Sequence, residues 1–438
     1  MMDADKIALV FVQQWLFENG HKDALEALEK STNFIYDDSK LVKSSQLMQL
    51  VWKYMEETIS ANEDAAEDAG KRAEDEAMLR GGSEDYLTEV THNLSGQHGT
   101  ANVVCVRVVP GEERVITGAG DGFVRSISFS GDVQWAAGVG SGGVLCMELQ
   151  PPPSTSGSSE SSAPAMAVDA DSGSASSHGQ VPMVAAGSMD GTLSLVHSGT
   201  GRLLGSDKSH AKYLVRVVWS GDGKHVISCS HDQTVAVHRV VVQAVDGDDL
   251  VSASVSTVKR VDYAAAVQDA VVLHDGVTLV VAIRGTNYLR VLDLADLDAP
   301  EQLVNINASG DDHVSFFARH LVPSPCGRFL LVSTDTGRMM VMRTAPRGGA
   351  WSHCPYPFFS LATQQFHQFT AAWHKDSFYV YAGAAGGQVW VYHVGSGKVV
   401  AKLPVHQVNV RDMHMDVGRS ILATCSFDKT VKLLVGKH

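Results

Sequence analysis

Several things are scarce in this 438-residue chain, and each scarcity excludes a class of protein. Positive charge is short: 35 Lys and Arg stand against 49 Asp and Glu, a formal net charge of −14. A protein that coats nucleic acid needs clustered cations to replace phosphate counterions, so that class is set aside and no nucleic-acid partner is expected. No run of 18 apolar residues occurs, so no helix is expected to cross a membrane and no membrane partner is expected. Only six cysteines are present (Cys105, Cys146, Cys229, Cys326, Cys354 and Cys425), and no two share CxxC spacing. Most lie in apolar runs, where a free thiol behaves as a small hydrophobe. This fits a reducing compartment without a disulfide framework. P-loop and HExxH patterns are missing too. The apolar run Ile7–Phe17 follows Asp3 and Asp5 rather than a basic segment, which argues against a secretory leader and for an intracellular protein. Without a basic cluster to mark nuclear import, the cytoplasm is favoured, with nuclear or cytoskeletal settings as alternatives.

The acidity is localised. Residues 56–89 carry twelve acids and three bases, and residues 151–180 carry three acids and no base. With the −2 of residues 1–55, these segments account for the whole net charge, so the body of the chain is electrically neutral. Residues 60–85 are acidic and Ala-rich and end in Gly81-Gly82-Ser83, which reads as a solvated helix or linker.

Residues 1–59 read as helical. Ile7, Val10, Phe11, Trp15 and Leu16 recur at three- and four-residue spacing, and Gly20 then supplies a stop. A second helix carries Ala24, Leu25, Ala27 and Leu28, and a third, over residues 39–59, carries Leu47, Leu50, Val51 and Tyr54. Such short helices make a marginal core by themselves, and self-association is the natural remedy.

Residues 86–438 are repetitive. The clearest units are Val226–Val237 and Leu422–Leu433, each a strand, a tight turn with Asp, and a second strand. Val184–Leu195 and Val115–Val124 repeat the pattern, and weaker copies run through Leu331–Asp335, Val280–Asn287 and Tyr379–Tyr392. The turn residues fall at 121, 190, 232, 287, 335, 386 and 428, so the gaps are 69, 42, 55, 48, 51 and 42 residues. A four-stranded propeller blade takes roughly 40–45. The outsized gap holds a Pro-, Ser- and Gly-rich stretch over 150–180, and subtracting it restores a blade-sized interval. Seven turns predict seven blades. The last copy ends after Val435 without an outer strand, and the unassigned segment Leu87–Thr91 is expected to supply it and close the ring.

These units resemble the WD-repeat family, and the resemblance covers about four fifths of the chain. It implies a mainly β, seven-bladed propeller in which a loop His, a turn Asp and a Ser or Thr share a buried network. The positions that match are His98 with Asp121, His210 with Ser228 and Asp232, and His406 with Thr424 and Asp428, with Asp190 and Asp335 at two further turns. The strand-c Trp of the pattern is replaced by His238 and Leu434, and the fourth and sixth turns lack an acid. Ahead of the repeats, Trp15-Leu16-Phe17-Glu18-Asn19-Gly20-His21-Lys22-Asp23-Ala24-Leu25 resembles the LisH motif, with His21, Leu25 and Ser31 departing from it. That resemblance implies parallel dimerisation through Ile7, Phe11, Trp15, Leu16, Gly20, Leu25 and Leu28; the plain alternative is a helical cap on the chain's own propeller.

Chemistry finds little support. Nineteen histidines are present, but the His-Asp-Ser sets recur once per repeat, whereas a catalyst needs one site. Gly138-Val139-Gly140-Ser141-Gly142-Gly143 matches GxGxxG without the helix that makes such a loop a dinucleotide site, and is expected to be a flexible loop. His353-Cys354 falls short of the three or four ligands of a metal site. Asn93-Leu94-Ser95 and Asn307-Ala308-Ser309 fit the glycosylation pattern but carry no meaning without secretion. Neither cofactor nor metal is expected. What remains is binding of protein partners at the propeller rim, where Met189, Tyr213, His231, Asn409 and Phe427 stand at or beside the turns. The expected function is a non-enzymatic, dimeric scaffold or adaptor. A substrate receptor of a cullin-type ubiquitin ligase, a transcriptional corepressor and a microtubule-associated regulator are the alternatives. A clean Trp-Asp-x-Arg blade ending, frequent in the ligase group, is missing.

Overall fold

A computed structural model describes residues 4–37, 70, 73–75, 77–82, 85–152, 182–244, 251–307, 314, 316–345, 351–353, 359–360 and 369–436. The expected third helix (39–59), most of the acidic segment and most of the 150–180 insertion lie outside the described residues. The chain divides into two compact units, Met1–Met78 and Leu79–His438. Among the described residues no helix is long and apolar enough to cross a membrane.

In the first unit, α1 (Ala4–Glu18) and α2 (Lys22–Thr32) form a hairpin. Gly20 makes the turn at φ +77°, a conformation that a side chain would oppose. The His21 amide donates to Leu16 O (2.9 Å), which closes α1. His21 then packs its ring against Trp15, with centroids 5.4 Å apart, in the place the motif gives to an aromatic. Leu25 is buried, while Phe11, Trp15, Leu16 and Leu28 are half-buried. The Ile7 side chain lies outside the described residues.

The second unit is a ring of seven antiparallel sheets. Blade 1 runs Val103–Val108, Arg114–Ala119, Phe123–Ser128, Val133–Gly138. Blade 2 runs Val144–Leu149, Met183–Ser188, Leu193–His197, Leu203–Asp207. Blade 3 is Leu214–Trp219, His225–Ser230, Thr234–Ala244, Val251–Asp262, and blade 4 is Val267–Val272, Thr278–Ile283, Tyr288–Asp293, Gln302–Asn305. Blade 5 has Ala318–Pro323, Phe329–Thr334 and Arg338–Arg343, with the short segments Ser352–His353 and Phe359–Ser360 both pairing with the third strand. Blade 6 is Ala371–Trp373, Tyr379–Gly383, Gln388–His393, Lys398–Pro404. Blade 7 takes Val410–Asp416, Ile421–Ser426 and Thr430–Val435 from the end of the chain, and its outer strand, Val90–Ser95, from before blade 1.

All seven expected turn residues sit between second and third strands. The closing strand begins at Val90, three residues beyond the expected Leu87. Leu87 instead donates its amide to Tyr381 Oη (2.7 Å) and is buried between blades 6 and 7. Leu79 is fully buried and Gly81 O lies 3.0 Å from His393 Nε2, so the end of the expected linker is anchored on blade 6 rather than solvated. The insertion after Pro152 is pinched at its base, where the Gln150 amide donates to Met183 O (2.9 Å).

The second strands of every blade but the third are buried at every position. A strand covered on both faces reads as a continuous apolar run, which is why these runs carried the repeat signal. Apolar clusters fill the spaces between neighbouring blades, for example Val271, Leu289, Leu321 and Leu330 between blades 4 and 5. Cys105, Cys146, Cys229 and Cys425 are buried free thiols whose pKa values burial pushes up, Cys146 to about 12.

Candidate partner-binding face

The loops that enter each blade and the turns between its second and third strands lie at the same end of the sheets and are stitched together. The His231 amide donates to Tyr213 O (3.1 Å), Met189 to Gly143 O (2.9 Å), and Asp335 to Phe317 O (3.1 Å). These segments form one face of the ring.

Two blades hold the full network. In blade 3, His210 Nε2 lies 2.7 Å from Ser228 Oγ, and Nδ1 lies 3.2 Å from Asp232. Asp232 also accepts from the Ala211 amide (2.8 Å) and the Thr234 hydroxyl (2.6 Å). Burial favours the neutral carboxyl, but the Thr234 hydroxyl, the Ala211 amide and His210 overrule it and hold the pKa at about 2. Burial also lowers the His210 pKa, so the ring is neutral. His238, in the place of the usual Trp, extends the chain of bonds: Ser228 Oγ lies 2.7 Å from its Nε2, and Thr257 Oγ1 3.1 Å from its Nδ1. Blade 7 repeats the scheme, with His406 Nδ1 to Asp428 at 2.9 Å and Nε2 to Thr424 at 2.9 Å.

The other turns are held differently. His98 reaches Thr117 (2.9 Å), but Asp121 is not brought to it. Asp121 instead takes Arg125 (2.6 Å) and the Phe123 amide (3.2 Å). Asp190 has no His; it accepts from the Ser188 hydroxyl and from the amide and hydroxyl of Ser141 (2.8 and 2.5 Å). The GxGxxG loop is therefore a strut of blade 2 rather than a loose connection. Gly140, at φ +68°, would place a Cβ 2.9 Å from Ser188 Oγ. Asp335 accepts from the Phe317 amide (3.0 Å). In blade 6 the missing turn acid is replaced from the neighbouring blade, because Asn409 Oδ1 accepts from the Gly386 amide (3.0 Å). Asn409 is thereby engaged within the ring.

Of the remaining rim positions, Met189 is 62% exposed and Phe427 41% exposed. The Arg411 guanidinium lies 4.4 Å from the centre of the Phe427 ring. Tyr213 stacks on His231, with centroids 4.8 Å apart and planes at 19°. Phe123, which sequence reasoning passed over, is also exposed on this face, under Arg125.

The innermost strands enclose a central cavity of about 590 Å³. Two ion-pair systems cross it between blades. Arg107 (blade 1) donates to Asp412 of blade 7 (2.6 Å) and Glu148 of blade 2 (3.1 Å). Asp269 (blade 4) accepts from Arg216 of blade 3 (2.5 Å) and lies 2.7 Å from His320 Nδ1 of blade 5. Burial opposes the Asp269 charge, but Arg216 and His320 overcome it and keep the carboxyl ionised. Among the described residues no group of three His, Cys, Asp or Glu side chains is placed to hold a metal ion.

The family model described as "WD domain, G-beta repeat" matches residues 201–239 and 397–433. Those are the stretches from the outer strand of one blade through the third strand of the next, ending in blades 3 and 7, the two with complete His–Asp networks. No curated protein matches the chain.

Proposed function

We propose that this WD-repeat propeller is a non-enzymatic, dimeric scaffold that holds a partner protein on the face carrying its turns. The observation that carries the reading is the contrast on that face. The histidines that a catalyst would use are consumed in blade struts, while Met189 and Phe427 stand apolar and exposed on a frame tied from blade to blade. Rigid loops with exposed anchors bind protein partners without a large ordering cost. Tyr213 and His231 form a stacked pair beside them and complete the anchor set. Asn409 is better assigned to the blade 6 turn. The dimer half of the reading rests on the LisH-like helices, whose Phe11, Trp15 and Leu16 are only half covered in the single chain. Two rims on one dimer raise affinity for a bivalent partner through effective concentration.

The test is affinity purification with mass spectrometry from the native host, with molar mass from light scattering. The full chain is compared with Trp15→Ala/Leu16→Ala and with Met189→Asp/Phe427→Asp. A dimer that retains a defined complex, lost in the rim variant and weakened in the helix variant, supports the reading, and the complex itself names the process. Monomers with identical partners in all three forms refute it.

A further inference from the structure

In blades 1 to 5 the residue that follows the second strand stands on the partner-binding face, with its amide tied to the entry loop of its own blade. Gly120 donates to Asn102 O (2.9 Å), Met189 to Gly143 O (2.9 Å), His231 to Tyr213 O (3.1 Å), Arg284 to Ala266 O (2.9 Å) and Asp335 to Phe317 O (3.1 Å). The backbone repeats while the side chains do not. Blades 7, 1 and 2 place the uncharged Phe427, Gly120 and Met189 there, whereas blades 3 and 4 place His231 and Arg284. Lys212 joins these two from the blade 3 entry loop, next to Tyr213, whose ring stacks on His231 with centroids 4.8 Å apart.

Six of the seven innermost strands carry a register irregularity near their first residue, including those between Leu214 and Arg216, between Ala318 and His320 and between Val410 and Asp412. A bulge bends its strand, and in blade 3 the bend directly follows the loop that carries Lys212 and Tyr213. Lys212 and Arg284 are exposed, and among the described residues neither side chain makes a hydrogen bond or an ion pair. Both stand close enough to His231 to act on it: burial first, then Lys212 and Arg284, hold its pKa below the ordinary value. The turn carboxylates of the same stretch are spent elsewhere. Asp232 serves His210, Ala211 and Thr234 and also meets Arg260 (3.6 Å), and Asp335 accepts from the Phe317 amide. Two cations and an imidazole are thus gathered on the rim with no carboxylate bound to them among the described residues, an arrangement that is unfavourable until an anion arrives.

The three groups differ in what they offer. Lysine is a point charge with three donors, arginine a planar fork, and imidazole a single directed N–H. A phosphate monoester brings close to two negative charges and three acceptor oxygens, one for each group, whereas a carboxylate brings one charge and two oxygens. The cluster lies open on the rim, so a free anion held there stays solvated and gains little. A phosphate carried by a protein gains a second hold, because Met189 stands apolar and exposed at the same position of the adjoining blade 2. We propose that Lys212, His231 and Arg284 take the phosphate of a phosphorylated side chain in the partner, beside the segment that Met189 anchors. This deepens the scaffold reading and rests on it for the partner being a protein.

The test uses the full chain and three fluorescein-labelled Ala-Gly peptides, each with one Leu and differing only at a central phosphoserine, Ser or Glu, followed by fluorescence anisotropy. At roughly 50 mM salt the phosphoserine peptide should bind at least about tenfold more tightly than the Ser peptide, and roughly 0.5 M salt should remove most of that difference. Lys212→Glu/Arg284→Glu should abolish the preference, and the milder Lys212→Gln/Arg284→Gln should lose most of it. Neither side chain has a partner among the described residues, so an unchanged melting temperature is expected and serves as the folding control. Lys375→Glu/Lys398→Glu makes the same change in net charge with two exposed lysines at the opposite end of blade 6 and should keep the preference. Equal binding of the phosphoserine and Ser peptides, a preference that survives Lys212→Glu/Arg284→Glu, or one lost equally in Lys375→Glu/Lys398→Glu overturns the proposal. If the Glu peptide binds as tightly as the phosphoserine peptide, or inorganic phosphate alone binds as tightly, the assignment to a phosphorylated side chain fails. If Lys212→Glu/Arg284→Glu keeps the native complex, or that complex survives phosphatase treatment of the extract, while Met189→Asp/Phe427→Asp loses it, the scaffold stands and the phosphate site falls.

Discussion

Three histidines are held in ways that make the ring sensitive to mild acid. His98 is buried, with Nε2 2.9 Å from Thr117 and a buried Nδ1 that meets no hydrogen-bond partner among the described residues. His238 is fully buried between Ser228 and Thr257. His414 Nδ1 accepts the Val108 amide of the next blade (3.2 Å), which only a neutral ring can do. Burial pulls each down to about 4, helped by Arg125 at His98 and by Arg107 at His414; at His238 burial outweighs the attraction of Asp207. These folded values lie below the ordinary 6.5, so the unfolded chain takes up protons first. The stabilisation is complete above pH 6.5 and is lost as pH falls from 6.5 toward 4. At pH 4.5 each site has lost roughly two pH units of linkage, on the order of 2–3 kcal/mol, and the three together less than about 8 kcal/mol. The depressed carboxyls of Asp190, Asp232 and Asp428 act in a separate window, because their contribution fades only below pH 3.8. Urea midpoints followed by tryptophan fluorescence at pH 7.5, 6.5, 5.5 and 4.5 should therefore fall steeply before those three aspartates lose their contribution. His238→Trp restores the residue the repeat pattern carries there and should flatten the slope. A midpoint that is level from pH 7 to 5, or a slope unchanged in His238→Trp, would refute the reasoning.

The blade networks make a differential prediction. Asp232→Ala strands the His210 Nδ1–H and the Ala211 amide and should cost about 3 kcal/mol, whereas Asp121→Ala, whose carboxylate is the partially exposed partner of Arg125 and the Phe123 amide, should stay within about 1 kcal/mol; thermal melts of both variants decide it. Asp412→Asn leaves the buried Arg107 with Glu148 alone and should cost about 3 kcal/mol, read as a lowered melting temperature, with Arg107→Met/Asp412→Leu recovering most of the loss.

Much of the ring was legible because its signal is local. A second strand buried on both faces writes an uninterrupted apolar run, and the turn that follows needs an Asp or Gly, so Val226–Val237 and Leu422–Leu433 announce themselves. The turns at Asn287 and Gly386 kept their spacing but lost their acid, and their place in the ring comes from packing against neighbouring blades. The closing strand starts three residues later than its sequence suggests, for a related reason. Val90–Ser95 buries only Leu94 fully and has little hydrophobic pattern, while Leu87, the more conspicuous residue, is used to plug the seam between blades 6 and 7.

The site was harder to read, and the bulges explain why. Strict alternation along Ala318–Pro323 or Val410–Asp416 assigns Arg319 or His320, and Arg411 or Asp412, to opposite faces. The irregularity at each strand entrance lets both members of the pair face the cavity. One of each pair then reaches across the ring, His320 to Asp269 and Asp412 to Arg107. Asn409 shows the same limit from the other side. By position it belongs to the rim, yet its carbonyl is spent on Gly386, whose turn has no acid of its own. A departure from the repeat at one blade is thus compensated by a residue of the next. The expected rim positions left apolar and exposed after the struts have been satisfied are Met189 and Phe427.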